Sequence, residues 1–376
     1  MKTNYKFTIY ILLVFSFYAC NNAKSDQAES FPLLWEFEYT QDADGLSLVN
    51  TNPAVLNSQI LIAPDKQLTL LNTKDGNVKW QFAIPGSPYI STEEFLTEGS
   101  TLYLKEDQNQ MLFSIDLDNG TSNWEKDISP LEFYQRSNDG IDNDFLYLSG
   151  SRGEIYRFTK QGQLTKTYDV TDYGIETSAR SIRVLDNQLI FSQRWREGNN
   201  SNANGRILSI DKETEDLLWE YRTENGGYIF EPIILEDGII YAGVTDGPGE
   251  FSALDAESGQ VIWRNEGLVT WSFTLSDTMI FVNNGIRMVA LDKQTGQELW
   301  RTSFGGGYDQ DNIAYLDGYL YHSHGSALFI LDTSTGEIVH SEPRSPDGSP
   351  FGLAAAGNER VFVQSNYALY AYEAWK

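Results

Sequence analysis

Short runs of alternating apolar and polar residues fill most of the chain, and residues 231–265 show the pattern most clearly. The runs "EPIIL", "IIYAGV", "FSALD" and "QVIWRN" are separated there by "EDG", "TDGPG" and "AESG". Alternation with a period of two, rich in β-branched and aromatic residues, predicts strands, and Gly, Asp and Pro mark the turns between them. The unit is therefore predicted to be four short antiparallel strands.

The turn between the third and fourth predicted strands recurs along the chain. In "LDKQTGQELW", which spans 291–300, Asp is followed four residues later by Gly and eight residues later by Trp. The complete copies are Asp292, Gly296 and Trp300; Asp255, Gly259 and Trp263; and Asp116, Gly120 and Trp124. The incomplete copies are Asn72, Gly76 and Trp80; Asp211, Glu215 and Trp219; Asp332, Gly336 and His340; Phe158, Gly162 and Lys166; and Glu373 alone.

A four-stranded unit repeated about every 40 residues is typical of a β-propeller. Seven copies contain both the third strand and the turn that follows it, and the last copy lacks its outer strand. A spare strand, "PLLWEFEY" at Pro32 to Tyr39, precedes the first repeat and carries Trp35. The fold class is thus predicted to be all-β: an eight-bladed propeller of four-stranded antiparallel blades, closed by the N-terminal strand.

Each residue of the motif has a mechanical role in this prediction. The Asp carboxylate accepts hydrogen bonds from backbone N–H groups in the turn, and the Gly allows the positive φ of a tight hairpin. The Trp lays its ring against the neighbouring blade, and its indole N–H can bond a backbone carbonyl. These residues are therefore interpreted as architecture.

The N-terminus has the pattern of an export signal. Lys2 and Lys6 precede the apolar run "FTIYILLVFSF", which is shorter than the roughly 20 residues of a membrane-spanning helix. Cys20, the only cysteine, follows this run and resembles the lipid-attachment cysteine of a bacterial lipobox. We expect a cleaved signal peptide at 1–19, a lipidated tether at 20–30 and the propeller at 31–376. An ordinary secretory signal is the alternative.

Composition removes one class of partner. The chain has 376 residues, a net charge of −26 and an isoelectric point near 4.4. Nucleic-acid binding requires clustered Lys and Arg to neutralise phosphates, so it is not expected. The acidity instead indicates a solvated, self-repelling surface, and a monomer is expected.

The sequences "VALDKQTGQELW" and "SALDAESGQVIW" resemble the tryptophan-docking motif of PQQ-like propeller repeats. Together with the lipobox, they resemble the lipoprotein branch that includes BamB, an accessory of the outer-membrane β-barrel assembly machinery. The resemblance implies an outer-membrane lipid anchor, a domain facing the periplasm or the cell surface, and envelope proteins as partners. Fold alone does not carry function.

Enzymes with this repeat are quinoprotein dehydrogenases, which bind pyrroloquinoline quinone and a calcium ion on the ring axis. Many of them carry an adjacent Cys–Cys disulfide, which a chain with one cysteine cannot form. We therefore expect neither quinone nor calcium as a cofactor. A quinoprotein dehydrogenase stays the least favoured of the functional alternatives.

The remaining candidates for metal chemistry are few. His322 and His324 lie two apart on a predicted strand, so they face the same way, but no third ligand is evident. His340 takes the place of a motif Trp. The acidic stretches "DGIDND" and "QDADG" lack the later Glu of a calcium loop and are interpreted as turns. No metal site is expected.

The links between blades carry the candidate binding residues. Each link crosses one face of the ring, and an aromatic residue or Arg precedes most inner strands. The predicted binding rim consists of Tyr89, Tyr134, Arg136, Arg180, Tyr228, Trp271, Tyr308 and Phe351. The alternative is that these side chains pack between blades and contact no ligand.

The fourth repeat contains an insertion, "QRWREGNNSNANG" at 193–205. Arg194, Trp195 and Arg196 in it form a candidate partner loop, because Trp and Arg dominate interface hot spots. The favoured function is a non-catalytic, membrane-tethered scaffold that docks envelope proteins. The alternative is a propeller that binds a glycan or another small molecule at the rim.

Overall fold

The computed structural model describes residues 31–39, 52–64, 67–85, 95–106, 109–131, 133, 138–170, 179–195, 204–223, 227–229, 232–245, 247–305 and 312–376. Within these ranges every regular element is a β-strand, and the strands form eight four-stranded antiparallel sheets. The predicted eight-bladed propeller is confirmed. The predicted signal peptide, the tether and Cys20 lie outside the described residues.

The blades are numbered in chain order, and each runs from an inner to an outer strand. Blade 1 contains β2 (Ala54–Leu56), β3 (Gln59–Ile62), β4 (Gln67–Asn72) and β5 (Val78–Ala83), and blade 2 contains β6 (Phe95–Glu98), β7 (Thr101–Glu106), β8 (Met111–Asp116) and β9 (Ser122–Asp127). Blade 3 contains β10 (Gly140–Ile141), β11 (Phe145–Ser149), β12 (Glu154–Thr159) and β13 (Leu164–Asp169), and blade 4 contains β14 (Ala179–Leu185), β15 (Gln188–Trp195), β16 (Asn204–Asp211) and β17 (Leu217–Arg222).

Blades 5 to 8 complete the ring. Blade 5 contains β18 (Ile234–Glu236), β19 (Ile239–Gly243), β20 (Glu250–Asp255) and β21 (Val261–Glu266), and blade 6 contains β22 (Ser272–Leu275), β23 (Met279–Asn283), β24 (Arg287–Asp292) and β25 (Glu298–Ser303). Blade 7 contains β26 (Ile313–Leu316), β27 (Tyr319–His324), β28 (Ala327–Asp332) and β29 (Ile338–Glu342). Blade 8 contains β30 (Ala354–Gly357), β31 (Arg360–Gln364), β32 (Ala368–Glu373) and, from the N-terminal part of the chain, β1 (Leu33–Glu38).

The N-terminal strand closes the ring as predicted. β1 pairs antiparallel with β32, with Glu36 opposite Tyr370 and Phe37 opposite Leu369. Trp35 then donates its indole N–H to the Thr73 carbonyl of blade 1 at 3.0 Å. The two ends of the chain are thus joined by a backbone ladder, which covers the sheet edge that β32 would otherwise expose.

The repeated turn has the predicted Asp chemistry. Asp292 Oδ1 accepts the backbone N–H of Gln294 at 3.1 Å and that of Thr295 at 2.8 Å. The Thr295 hydroxyl also donates to it, and these hydrogen bonds hold the pKa of Asp292 below its usual range. Asn72 accepts the N–H of Lys74 in the same way, so an amide oxygen can replace the carboxylate.

The tryptophans join consecutive blades. Each motif indole donates to the carbonyl of the residue after the Asp position in the next blade. The pairs, with distances, are Trp80 to Leu117 (2.8 Å), Trp124 to Lys160 (3.0 Å), Trp219 to Ala256 (3.2 Å), Trp263 to Lys293 (3.1 Å) and Trp300 to Thr333 (2.7 Å). The predicted inter-blade wedge is therefore present at each of these junctions.

The motif glycine is required for a second reason. Gly259 has a φ of 71°, and a Cβ placed on it would come within 2.6 Å of the Trp219 ring from the previous blade. The same indole-over-glycine contact occurs at Gly76, Gly120, Gly162, Gly296 and Gly336. Trp in one blade and Gly in the next are therefore one steric unit.

The junction between blades 3 and 4 replaces both members of that unit. Lys166 stands in the Trp position and donates to the Lys212 carbonyl at 3.0 Å, as an indole would. Glu215 stands in the Gly position with a φ of 68° and pairs with Lys166 Nζ at 3.1 Å. Because Lys166 is slender, the turn can carry a side chain there.

The turn in blade 3 differs from the sequence expectation by one residue. Thr159, and not Phe158, takes the Asp position, because its hydroxyl accepts the N–H groups of Gln161 and Gln163. Phe158 is buried in the core. The turn is one residue shorter here, which the fixed spacing from Gly162 does not reveal.

Blade 7 joins blade 8 through different aromatic residues. His340 takes the Trp position, and its ring stacks on Trp375 with centroids 4.8 Å apart. Phe31, at the start of the described chain, stacks on Tyr372 at 4.4 Å. Both chain ends therefore contribute side chains to the last junction.

Two faces of the ring follow from the strand directions. The motif turns lie on one face. On the other face the second strand of each blade ends, and the link to the next blade begins. We call this second face the linker face. It carries the ends of β3, β7, β11, β15, β19, β23, β27 and β31.

Replacing Trp300 with Ala should lower the free energy of unfolding by about 3–5 kcal/mol, because it deletes a packed ring and its inter-blade hydrogen bond. Chemical denaturation measures the change. Leu299→Ala is the control, since Leu299 is 52% exposed on the same strand and should cost less than about 0.5 kcal/mol. Equal losses in the two variants would contradict the wedge.

The Lys166 and Glu215 pair should show strong coupling in a double-mutant cycle. Lys166→Trp alone should destabilise the protein, because the indole would meet the Glu215 side chain. Lys166→Trp with Glu215→Gly should recover stability, with a coupling of about 0.5–3 kcal/mol. Strictly additive effects in urea denaturation would show that Trp and Gly are not one steric unit.

Candidate functional site

Many polar side chains on the linker face are buried and hold blades together. Lys105, near the end of β7, forms a salt bridge to Asp139 of blade 3 at 3.0 Å, with both side chains 1% exposed. Asp139 Oδ1 also accepts the Ser149 N–H at 2.9 Å. The Ser149 hydroxyl donates to the Ala179 carbonyl of blade 4. This chain of contacts crosses two blade junctions.

A second buried network lies in blade 4. Gln193 Oε1 accepts from Arg206 Nε at 2.8 Å, and Arg206 Nη1 pairs with Glu220 at 3.0 Å. Burial lowers the pKa of Arg206, while Glu220 opposes that shift. The amide of Gln193 donates to the Val170 carbonyl at 3.2 Å. Gln193, the first residue of the insertion, is thus held by buried hydrogen bonds to Arg206 and Val170.

Blades 4 and 5 share a third network. The Tyr221 hydroxyl donates to Glu250 and lies 2.9 Å from the Ser252 hydroxyl. Burial, reinforced by Glu250, raises the pKa of Tyr221 to about 12. Arg264 Nε lies 3.5 Å from Glu250 Oε1. These polar groups join blades 4 and 5.

Above these networks, backbone contacts join the links of blades 4, 5 and 6. Isolated bridges pair Asn204 with Gly227, Ile229 with Val244, and Val244 with Val269. Further hydrogen bonds run from Thr245 N to the Tyr228 carbonyl at 3.1 Å, from Thr270 N to the Val244 carbonyl at 2.9 Å, and from Trp271 N to the Asn283 carbonyl at 2.9 Å. The described parts of these links therefore form a hydrogen-bonded platform.

Beside the platform, one residue of the predicted rim contacts one residue of the predicted partner loop. The Arg194 guanidinium lies over the Tyr228 ring at 4.6 Å, and both side chains are partly exposed. Trp271, on the next link, is also partly exposed. We call Arg194, Tyr228 and Trp271 the linker-face patch. Sequence spacing could not show this contact, because Arg194 and Tyr228 belong to different segments.

The other predicted rim residues fall into two groups. Arg180 is the second residue of the inner strand β14 and is partly exposed, whereas Phe351 is 3% exposed and packs near Tyr372 in the core. Phe351 therefore follows the alternative of packing between blades. Trp195 ends β15, but its side chain lies outside the described residues. Also outside them are Tyr89, Tyr134, Arg136, Arg196 and Tyr308.

A pocket of about 410 Å³ opens on the ring axis between the inner strands of blades 2 to 5. Asn138, Asp139 and Arg183 are the polar side chains of its described lining, and they lie beside apolar ones. Sequence analysis missed Arg183, whose only signal was a basic residue within a predicted inner strand. The pocket is lined by Phe95, Leu96, Asn138, Asp139, Gly140, Ile141, Ile182, Arg183, Val184 and Leu235.

The lining of this pocket does not fit pyrroloquinoline quinone. That cofactor is a flat molecule with several carboxylates, which need several cationic groups or N–H donors. The described wall supplies one guanidinium, Arg183, and its carboxylate, Asp139, is already paired with Lys105.

The described residues contain no group of three or more His, Cys, Asp or Glu side chains placed to hold a metal ion. His322 and His324 are both buried, and His340 pairs with Glu342 at 2.7 Å on the outer strand. No helix in the described part of the chain is long and apolar enough to cross a membrane.

Curated relatives match part of the chain. The outer membrane protein assembly factor BamB of Kangiella koreensis is 27% identical over 188 residues, which are 44% of this chain and 45% of the relative. The Yersinia pestis BamB is 26% identical over 183 residues, which are 45% of each. The 1-butanol dehydrogenase (quinone) of Thauera butanivorans is 28% identical over 144 residues, which are 30% of this chain and 22% of the relative. The chain thus spans less than half of the length of each relative.

Solved structures share the fold at low identity. BamB from Moraxella catarrhalis superposes with a TM-score of 0.66 and 15% identity, covering 92% of this chain and all of the other. Quinohemoprotein alcohol dehydrogenase from Comamonas testosteroni gives a TM-score of 0.62 and 11% identity, covering 91% of this chain and 76% of the other. These likenesses show the fold alone.

The family is shown by the breadth of the sequence match. The family model described as outer membrane protein assembly factor BamB matches residues 32–265 and 247–375, which together take in the whole ring. The tryptophan wedges, the glycines beneath them and the closing strand β1 all lie within that match. The chain belongs to the BamB family of PQQ-like β-propellers.

Proposed function

We propose that the chain is a non-catalytic scaffold of the cell envelope that docks protein partners during assembly of outer-membrane proteins. Its family supports this role, because the curated relatives with that name are outer membrane protein assembly factors. The chain acts as a monomer, and its partners include the β-barrel assembly machinery.

The linker-face patch is the observation that carries the proposal. Arg, Tyr and Trp are the residue types that dominate protein interfaces, and Arg194 is already stacked on Tyr228. The backbone platform beneath them lowers the entropy cost of binding, because its links are fixed before a partner arrives. Within a chain of net charge −26, Arg194 and Arg180 also give this face a local positive spot.

The proposed anchor would orient this face. β1 is an outer strand, so it starts on the face that carries the motif turns, and Phe31 is held there against Tyr372. A lipidated Cys20 followed by the tether to residue 30 would reach about 35 Å when extended. The anchor would then meet the ring opposite the linker face, and the patch would point away from the membrane toward its partners.

Replacing both Arg194 and Tyr228 with Ala should weaken partner capture by at least about tenfold, because two central contacts are lost. The measurement is quantitative pull-down of the lipidated protein from envelope extract. In a strain that lacks this protein, expression of the wild type should restore normal levels of outer-membrane β-barrel proteins, and expression of the variant should not.

The matched control is Arg301→Ala, which removes an exposed arginine from the outer strand of blade 6. It should leave capture and barrel levels unchanged. If the Arg194 and Tyr228 double variant is equally stable and captures every partner as the wild type does, the linker-face patch is not the docking surface.

A small-molecule or glycan-binding propeller is the second candidate function. The axial pocket favours it, since its lining combines the polar side chains of Arg183 and Asn138 with apolar ones. A thermal-shift screen should find stabilisation by acidic sugars or small carboxylates, which Arg183→Met abolishes. Neutral sugars are the control. No shift with any acid would remove this candidate.

The same screen tests the enzyme alternative. Pyrroloquinoline quinone with Ca²⁺ should neither shift the melting temperature nor support reduction of an electron-acceptor dye by alcohols. Dye reduction that depends on the quinone would instead make the chain a quinoprotein dehydrogenase, like the relatives that carry that name.

A further inference from the structure

Two histidines are buried together at the junction of blades 6 and 7. His322 is fully buried and His324 is 5% exposed, and both lie near the linker-face end of β27. Their ring centroids are 6.1 Å apart. Phe304, on the link from blade 6, lies 5.1 Å from each ring. The two imidazoles therefore share one apolar compartment.

The neighbouring strand fixes the orientation of His322. Its Nδ1 lies 3.2 Å from the Asn312 carbonyl oxygen, which can only accept a hydrogen bond. Nδ1 must therefore carry the proton, and Nε2 is the nitrogen that can coordinate a metal ion. A backbone carbonyl that holds one imidazole nitrogen is the usual support of a metal-binding histidine.

His324 gives the independent sign of a ligand. Both of its ring nitrogens are buried, and no described residue forms a hydrogen bond to either one. A buried imidazole without partners is rare in folded proteins and is commonly explained by an ion or a water molecule at the site. The ring lies beside His322, whose coordinating nitrogen is already oriented.

We propose that His322 and His324 bind a divalent transition-metal ion of the Zn²⁺ or Cu²⁺ class. Imidazole is a preferred ligand for these metals, and ligands two apart on a strand face the same side. Two imidazoles fill half of a four-coordinate set, and water or a bound acid completes it. The site is distinct from the linker-face patch and does not depend on the proposed docking function.

The chain offers a clean test, because it has three histidines and one cysteine. The protein is the untagged full-length chain with Cys20→Ser, which removes the competing thiol. Titration with Zn²⁺ followed by calorimetry, and with Cu²⁺ followed by electron paramagnetic resonance, should give one bound ion. The Cu²⁺ spectrum should show coupling to two imidazole nitrogens.

His322→Asn and His324→Asn should each weaken binding by at least about tenfold. His340→Asn is the matched control and should bind as the parent does. The spectrum of the parent chain needs no variant, so it stays informative if a substitution prevents folding.

Three results would overturn the proposal. One is the absence of stoichiometric binding to the parent chain. Another is a Cu²⁺ spectrum with one imidazole nitrogen or none. The last is a folded His324→Asn protein that binds as tightly as the parent, or a His340→Asn protein that loses binding to the same degree.

Discussion

The contact between an indole of one blade and a glycine of the next is the constraint on which the ring depends. A four-stranded blade has two apolar faces and cannot bury either alone. The indole covers the neighbouring turn, and its N–H satisfies a carbonyl there, as in Trp219 on Gly259 and Ala256. This indole-over-glycine contact occurs at six of the eight blade junctions, including the one that β1 closes through Trp35 and Gly76.

The exceptions show that the constraint acts on pairs of residues. Lys166 and Glu215 replace Trp and Gly together and keep the hydrogen bond to the Lys212 carbonyl. His340 leaves a gap that Trp375 fills from the C-terminus. The repeat, the blade count and the closing strand could be predicted from sequence, because the motif is local and periodic. The shift to Thr159 could not, because it depends on the length of one turn.

The candidate site was less accessible to sequence reasoning for a related reason. Position before an inner strand marked Tyr228 and Trp271, which are partly exposed, and also Phe351, which is buried. Burial depends on what the neighbouring blade presents, and that contact comes from a distant part of the chain. The stacking of Arg194 on Tyr228 likewise joins two segments that no local pattern connects. Most buried charges, such as Lys105 and Asp139, serve the junctions. The side chains considered for binding are therefore those that do not hold blade junctions together.

Hydrogen exchange at the indole N–H groups, followed by NMR, tests the central claim most directly. Six of the nine tryptophans, Trp35, Trp80, Trp124, Trp219, Trp263 and Trp300, donate to the next blade. If the wedges hold the ring as one unit, these six indoles exchange slowly and with a common free energy of opening. Exchange of the six at unrelated rates, or as fast as that of a solvent-exposed indole, would contradict the account.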